Sequence, residues 1–333
     1  MKETCWGLLP DGRQAELYTL ANEHIRLTVS TLGATITALS LPDRSGCWSD
    51  VALGFDTPAE YLTNPGNLGA LIGRYAGRIA GGCFPLNGEM VRLERNRGAH
   101  TIHGGPEGFH RRLWTAEEAD EMRLVLLLVS PDGDQGFPGT LSCRMTLALA
   151  GDSLTMELWA QSDRDTVCSL TSHIYWNLAG HDGGTVDGHV LTVRSDTCLE
   201  TDTDTIPTGR FLAFGDQAAD LRQGAALRAV EADHTLLLEH DGRLRPAARL
   251  EEPESGRWME LFTDLPGLQV YTGDHLPEGM TGKRGAVYGP RSGVCLEPQF
   301  WPDSPNHLHF PSTLLRAGET MSHTIRWRFG AVR

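Results

Sequence analysis

The chain has 333 residues, 40% of them hydrophobic and 22% charged, an ordinary balance for a packed globular protein, and no low-complexity tract interrupts it. Its formal net charge of −14 repels phosphate backbones and anionic lipid, and apart from Lys2 and Lys283 its basic residues are scattered arginines, so nucleic acid is not an expected partner. The longest purely aliphatic stretch, Leu124 to Val129, is far too short to span a bilayer, and no apolar signal region follows the first four residues. A cytoplasmic protein is expected.

Taken in chain order, the first periodic segment sets Ile25, Leu27 and Val29 against Arg26, Thr28 and Ser30, the alternation of a half-buried strand. Thr57-Pro58-Ala59-Glu60 then predicts a short connecting helix. The threonine caps it, proline suits its first position, and glutamate three residues on completes a capping box. Strand alternation returns at Leu141, Cys143, Met145 and Leu147, and again at His323, Ile325, Trp327 and Phe329. Between such runs lie Asn87-Gly88, Asp132-Gly133, Asp182-Gly183, Asp187-Gly188 and Asp241-Gly242, whose tolerance of positive φ suits tight hairpin turns. No internal repeat, linker or composition break divides the chain. The expectation is an all-β protein: one large antiparallel β-sandwich spanning residues 1–333, with few short helices.

Seven cysteines, an odd and widely spaced set without a C-x-x-C, argue against a disulfide framework and a zinc site, and most are expected to be small buried hydrophobes. His307-Leu308-His309 puts two imidazoles on one strand face, but a third ligand at matching spacing is not evident, so no metal is expected. No phosphate-binding loop, dinucleotide fingerprint or nucleophile elbow is present, and no cofactor is implied.

Three segments concentrate polar and aromatic residues. In the first, Gly73-Arg74-Tyr75-Ala76-Gly77-Arg78 is followed by His103-Gly104-Gly105, where glycines beside a histidine allow close approach of backbone and ligand. A glycine-rich turn whose histidine bonds the backbone fits equally well, and Arg74 and Arg78 taken alone read as surface or ion-pair residues. In the second, Ser169 to Leu178, alternation puts His173 and Tyr175 on one strand face. That suits a sugar-binding surface, with Tyr175 and Trp176 offering flat apolar faces and His173 a tunable proton. An interior histidine and a core tryptophan are the plainer reading. In the third, Val294 and Leu296 face one way while Cys295, Glu297 and Gln299 face the other. Desolvation there would raise the carboxyl of Glu297 toward a useful base, although a single glutamate on a strand more often lies on an exposed face. Asp233-His234 and Gln269-Val270-Tyr271 alone mean little more than polar strand positions.

Together these segments resemble the aldose 1-epimerase (galactose mutarotase) family over nearly the whole chain. Leu32-Gly33-Ala34-Thr35-Ile36, Leu41-Pro42-Asp43-Arg44, Asp50 to Phe55 and the Gly133 to Gly139 loop are similar to the family's early strands and loop, and the three segments follow in the family's order. The resemblance implies a galactose mutarotase-like sandwich with the site in a groove on one sheet. It also implies a cofactor-free isomerase that exchanges the α and β anomers of free aldohexoses such as galactose and glucose. Glu297 matches the family's general base and His173 its general acid. His103, Arg78, Asp233 and Gln269 match its sugar contacts, and Tyr175 shares the face of His173. Gly77, Ser172 and Ala232 depart from the family's asparagine, asparagine and aromatic residue, which bears on sugar preference. The partners expected are an aldose sugar and at most a second copy of the chain, as monomer or homodimer, with no membrane. A sugar-phosphate mutarotase and a catalytically silent sugar-binding protein on the same fold are the alternatives. A glycosidase would need two carboxylates, with Asp233 and Glu297 the evident pair.

Overall fold

The computed structural model describes residues 2–213 and 221–332. Three larger sheets carry the architecture. A five-stranded sheet runs in chain order from Lys2–Leu8 to Trp48–Asp50. A nine-stranded sheet holds the long strands Arg123–Ser130, Leu141–Ala150, Ser153–Ser162 and Arg257–Thr263, and the C-terminal strand Thr320–Ala331 lies between Ser153–Ser162 and Arg257–Thr263. A six-stranded sheet is ordered Tyr175–Trp176, Val294–Gln299, Gly267–Tyr271, Asp233–Leu237, Thr197–Thr201 and Pro207–Ala213. Every pairing within these sheets is antiparallel.

The alternation read from the sequence produces the packing directly. Leu141, Cys143, Met145 and Leu147 are buried, while Ser142 and Arg144 face out. They meet Leu27 and Val29 of the five-stranded sheet and Leu236, Leu268, Val294 and Leu296 of the six-stranded sheet in one contiguous core. Burial at roughly 25 cal/mol per Å² of apolar surface makes this interlayer contact the main stabilising term. The alternation is incomplete where chains converge: Ser30 and Thr146, expected to face water, are both buried.

The capping box forms as expected. Pro58–Leu62 is the α-helix among the described residues, with the Thr57 side chain accepting from the Glu60 N–H and the Glu60 carboxylate accepting from the Thr57 N–H. Of the five turn dipeptides, Asn87-Gly88 alone closes a two-residue hairpin, with φ of 51° and 84° between paired Leu86 and Glu89. The other four lie in longer connections. Asp241-Gly242, for example, joins Asp233–Leu237 to Arg245–Glu251, which belong to different sheets. A further two-residue turn falls at Gly151-Asp152, between paired Ala150 and Ser153.

Arg74 is a correction to the surface or ion-pair reading. Only 2% exposed, its guanidinium donates to the carbonyls of Pro138 and Gly139 (both 2.9 Å) and to Ser130 Oγ (2.6 Å). It thereby anchors the Gly133 to Gly139 loop against the second strand of the nine-stranded sheet. All seven cysteines are free, and four of them (Cys143, Cys168, Cys198 and Cys295) are buried, as expected of small hydrophobes. Among the described residues no helix is long and apolar enough to cross a membrane.

Candidate active site

The outer face of the six-stranded sheet forms the floor of a cavity of about 360 Å³. Val294 and Leu296 point into the core, so strand geometry sends Cys295, Glu297 and Gln299 to the opposite face. The neighbouring strand pairs Gln269 with Glu297 and Tyr271 with Cys295, and the next pairs Asp233 with Tyr271. Register alone therefore brings Glu297, Gln269 and Asp233 onto one floor. The seven residues that the family resemblance and the face of His173 nominate all line this cavity: Glu297, His173, His103, Arg78, Asp233, Gln269 and Tyr175.

The expected strand Ser169 to Leu178 is broken at His173. Thr171–Ser172 pairs with Leu71–Ile72, whereas Tyr175–Trp176 pairs with Val294–Gln299. His173 is held at the break by its N–H on the Ala70 carbonyl (2.9 Å) and by its own carbonyl accepting from Gly69 N–H (2.8 Å). Its ring stacks on Tyr175, with centroids 5.2 Å apart and planes at 21°. Of the two readings of Trp176 the core one holds: it is fully buried against Trp327 and Phe329 and offers no face to a sugar. The alternation that brings His173 and Tyr175 to the groove turns Trp176 inward.

His173 Nε2 stands 3.7 Å from Glu297 Oε2. Glu297 is 2% exposed, and this oxygen has no hydrogen-bond partner among the described residues. Burial pushes its carboxyl well above the usual range, with Asp233 adding to the effect. Burial pushes the His173 imidazole down to about 4. Desolvation thus opposes charge on both groups and favours their sharing one proton over standing as an ion pair.

His103 lies edge-on to His173 with ring centroids 5.3 Å apart. Its Nδ1 accepts the backbone N–H of Gly77 at 3.3 Å. Because an amide can only donate, Nδ1 carries a lone pair and the ring proton sits on Nε2. Burial drives this imidazole well below its ordinary value, so it stays a neutral donor. His103 has φ of 53°, and a Cβ on the following Gly104 would run into the Gly73 carbonyl, so the glycine is required by close packing.

On the floor, Gln269 Nε2 donates to Asp233 Oδ1 at 2.6 Å while its Oε1 accepts from Thr235. Arg78 Nη2 lies 3.9 Å from Asp233 Oδ2. Burial lowers the Arg78 guanidinium and Asp233 counters that. The chain thus presents a fixed set of donors and acceptors around a carboxyl and an imidazole, an arrangement suited to a polyhydroxylated ligand and proton transfer. Sequence reasoning missed Asn67, which lines the cavity at φ of 52° and was signalled only by the turn residues Asn64-Pro65-Gly66.

His307 and His309 lie apart from this cavity, His307 stacked on Phe310 (4.5 Å) and His309 Nε2 against the Gly209 carbonyl (2.9 Å). Among the described residues the group of ligand atoms close enough to share a cation is His173, Cys295 and Glu297. Burial raises both the Cys295 thiol and the Glu297 carboxyl, which opposes the loss of protons that metal binding requires.

The family model for aldose 1-epimerase matches residues 16–328. The chain belongs to the aldose 1-epimerase family. Its reaction is accordingly an isomerisation at the anomeric carbon of an aldose. Galactose mutarotase of Sus scrofa is 39% identical, covering 97% of each chain, and aldose 1-epimerase of Escherichia coli is 33% identical with the same coverage. Among solved structures, an aldose epimerase homologue from C. elegans superposes with a TM-score of 0.90 at 28% identity, covering 96% of this chain and all of that one. Galactose 1-epimerase from Lactobacillus acidophilus gives 0.84 at 26% identity, covering 100% and 99%. The galactose mutarotase-like sandwich expected from the sequence is thus the observed fold.

The three departures from the family pattern have distinct settings. Gly77 has φ of 77°, and a Cβ there would meet Pro302 Cγ at 2.9 Å. Ser172 is buried with its Oγ unpartnered among the described residues. Ala232 is buried, its N–H donating to Thr272 Oγ1 (2.9 Å).

Proposed function

We propose that Glu297 and His173 exchange the anomers of free aldohexoses, galactose and glucose among them, by opening and closing the pyranose ring. The observation that carries this reading is the 3.7 Å approach of the two side chains inside a cavity walled by hydrogen-bonding groups. Adjacent oxygens O1 and O5 of one sugar can reach both. The reactive form of the pair carries its one proton on His173, shifted there from Glu297 when the sugar fills the groove; from that form Glu297 takes the O1 proton as the C1–O5 bond breaks, and His173 delivers its proton to O5. Rotation about C1–C2 presents the other face of the aldehyde. Closure then returns one proton from Glu297 to O1 and one from O5 to His173. Protons balance over the cycle, and each positioned group contributes about 10²- to 10⁴-fold.

The open-chain intermediate leaves a protonated carboxyl facing a neutral imidazole. That is the arrangement desolvation favours in the empty groove. The site is thus electrostatically matched to the open-chain species between the two ring forms. His103 Nε2–H donates to the oxygens that gain charge, while Arg78, Asp233 and Gln269 hold remote hydroxyls and Tyr175 packs beside the ring.

Polarimetry of freshly dissolved α-galactose tests the reading. Equilibration well above the spontaneous rate is expected, with glucose 6-phosphate a poor substrate. Sugar binding without acceleration would instead indicate a silent binding protein, and preference for the phosphate would indicate the sugar-phosphate reading. We further infer that residues 1–333 act as one domain, as monomer or homodimer, in the cytoplasm. The C-terminal strand inserted between strands from the middle of the chain supports the first point, and seven free cysteines support the last.

A further inference from the structure

Two glutamine side chains reach the cavity, and they differ in what is left for a ligand. Gln269 is committed at both ends, to Asp233 and to Thr235. Gln299 is 1% exposed and lines the same cavity, yet its Oε1 has no partner among the described residues. A buried acceptor left bare costs about 1–3 kcal/mol, so such a group in a ligand-sized cavity points to a ligand that satisfies it.

Position narrows what that ligand group is. Gln299 lies two residues beyond Glu297 on the same face of an extended strand, an advance of roughly 6.6 Å. That displacement is comparable with the span from O1 across a pyranose ring to its far hydroxyls. The Gln299 amide also abuts Gly77, whose hypothetical Cβ would lie 3.4 Å from Nε2 and nearer still, 2.9 Å, to Pro302 Cγ. Here the glycine leaves that wall bare, and Pro302 blocks a replacement side chain.

We propose that Gln299 is a substrate-binding residue, its Oε1 accepting a hydrogen bond from a sugar hydroxyl remote from C1, and that this contact helps determine which aldose is preferred. The proposal deepens the mutarotase reading and rests on it. A hydroxyl is required because the bare atom can only accept, so the contact discriminates against a sugar that lacks that hydroxyl.

The test compares wild type with Gln299→Leu on galactose and on monodeoxygalactoses lacking O2, O3, O4 or O6 in turn, reading kcat/KM by polarimetry. Gln299→Leu should lower kcat/KM for galactose roughly 10- to 100-fold, mostly through KM. For one deoxy sugar, already poor with wild type, the substitution should cause no further loss. A loss of equal factor on every sugar, or no loss on galactose, overturns the assignment. If Gln299→Leu does not fold, Gln299→Met, of similar length, gives the same comparison. A wild-type enzyme that fails to accelerate galactose equilibration would defeat the mutarotase reading itself, whereas a working wild type with a panel-wide loss defeats Gln299 alone.

Discussion

Removing either member of the buried pair should change the pH dependence of stability, and the two removals should tilt it in opposite senses. His173 is buried, with its imidazole moved from 6.5 to about 4. A base with a depressed folded value contributes stability that is complete above pH 6.5 and lost as pH falls toward 4. At roughly 1.4 kcal/mol per pH unit, that contribution is about 3 kcal/mol. Glu297 behaves inversely. Its folded value is raised, so its contribution is complete below pH 4.5 and is lost as pH rises toward the folded value. Between 4.5 and 6.5 the two slopes oppose each other in the wild type, since burial favours the neutral form of both groups. The assay is urea unfolding of wild type, His173→Asn and Glu297→Gln between pH 4 and 8, read as differences from wild type so that other buried histidines cancel. His173→Asn should gain on wild type by about 3 kcal/mol as pH falls from 6.5 to 4. Glu297→Gln should gain as pH rises above 4.5. Two flat difference curves would show that neither group is desolvated, and two curves sloping the same way would refute the shared-proton account.

The same pair governs rate. Activity requires one proton on the dyad, so kcat/KM should hold a plateau bounded by an acid limb near 4, where His173 gains a second proton, and an alkaline limb above the ordinary carboxyl range. An acid limb at 6.5 would mean a solvated imidazole. Away from the groove, Arg74→Met should lower stability by about 2–4 kcal/mol, since the Pro138 and Gly139 carbonyls and Ser130 lose a buried donor, which a shift in urea midpoint would record.

How far these features were legible depended on whether they are set by local geometry or by pairing. The strand through Glu297 was readable because alternation over Val294 to Gln299 depends only on the two-residue repeat, and the capping box at Thr57 because its bonds are local. The turn dipeptides say less than the strands do. Tolerance of positive φ permits a hairpin without demanding one, and where the next strand enters another sheet, as after Leu237, the connection must be longer. For Trp176 strand parity decides for the core reading, since it lies on the opposite face from Tyr175. The break at His173 could not be seen, because it arises where flanking pairs join different partners, Leu71–Ile72 and Val294–Gln299, which only the tertiary arrangement brings together. The meeting of His103, His173 and Glu297 was implied by family resemblance and not by spacing. Arg74 reads as a surface residue until the Gly133 to Gly139 loop is folded over it.

The proton exchange assigned to the pair is tested most directly by the rate of α-galactose equilibration with wild type, Glu297→Gln and His173→Asn, each shown to be folded. Each substitution should slow the catalysed rate by at least about 100-fold. Near-wild-type equilibration by either variant would show that the hemiacetal opens without that group, and the assignment of acid and base would fall.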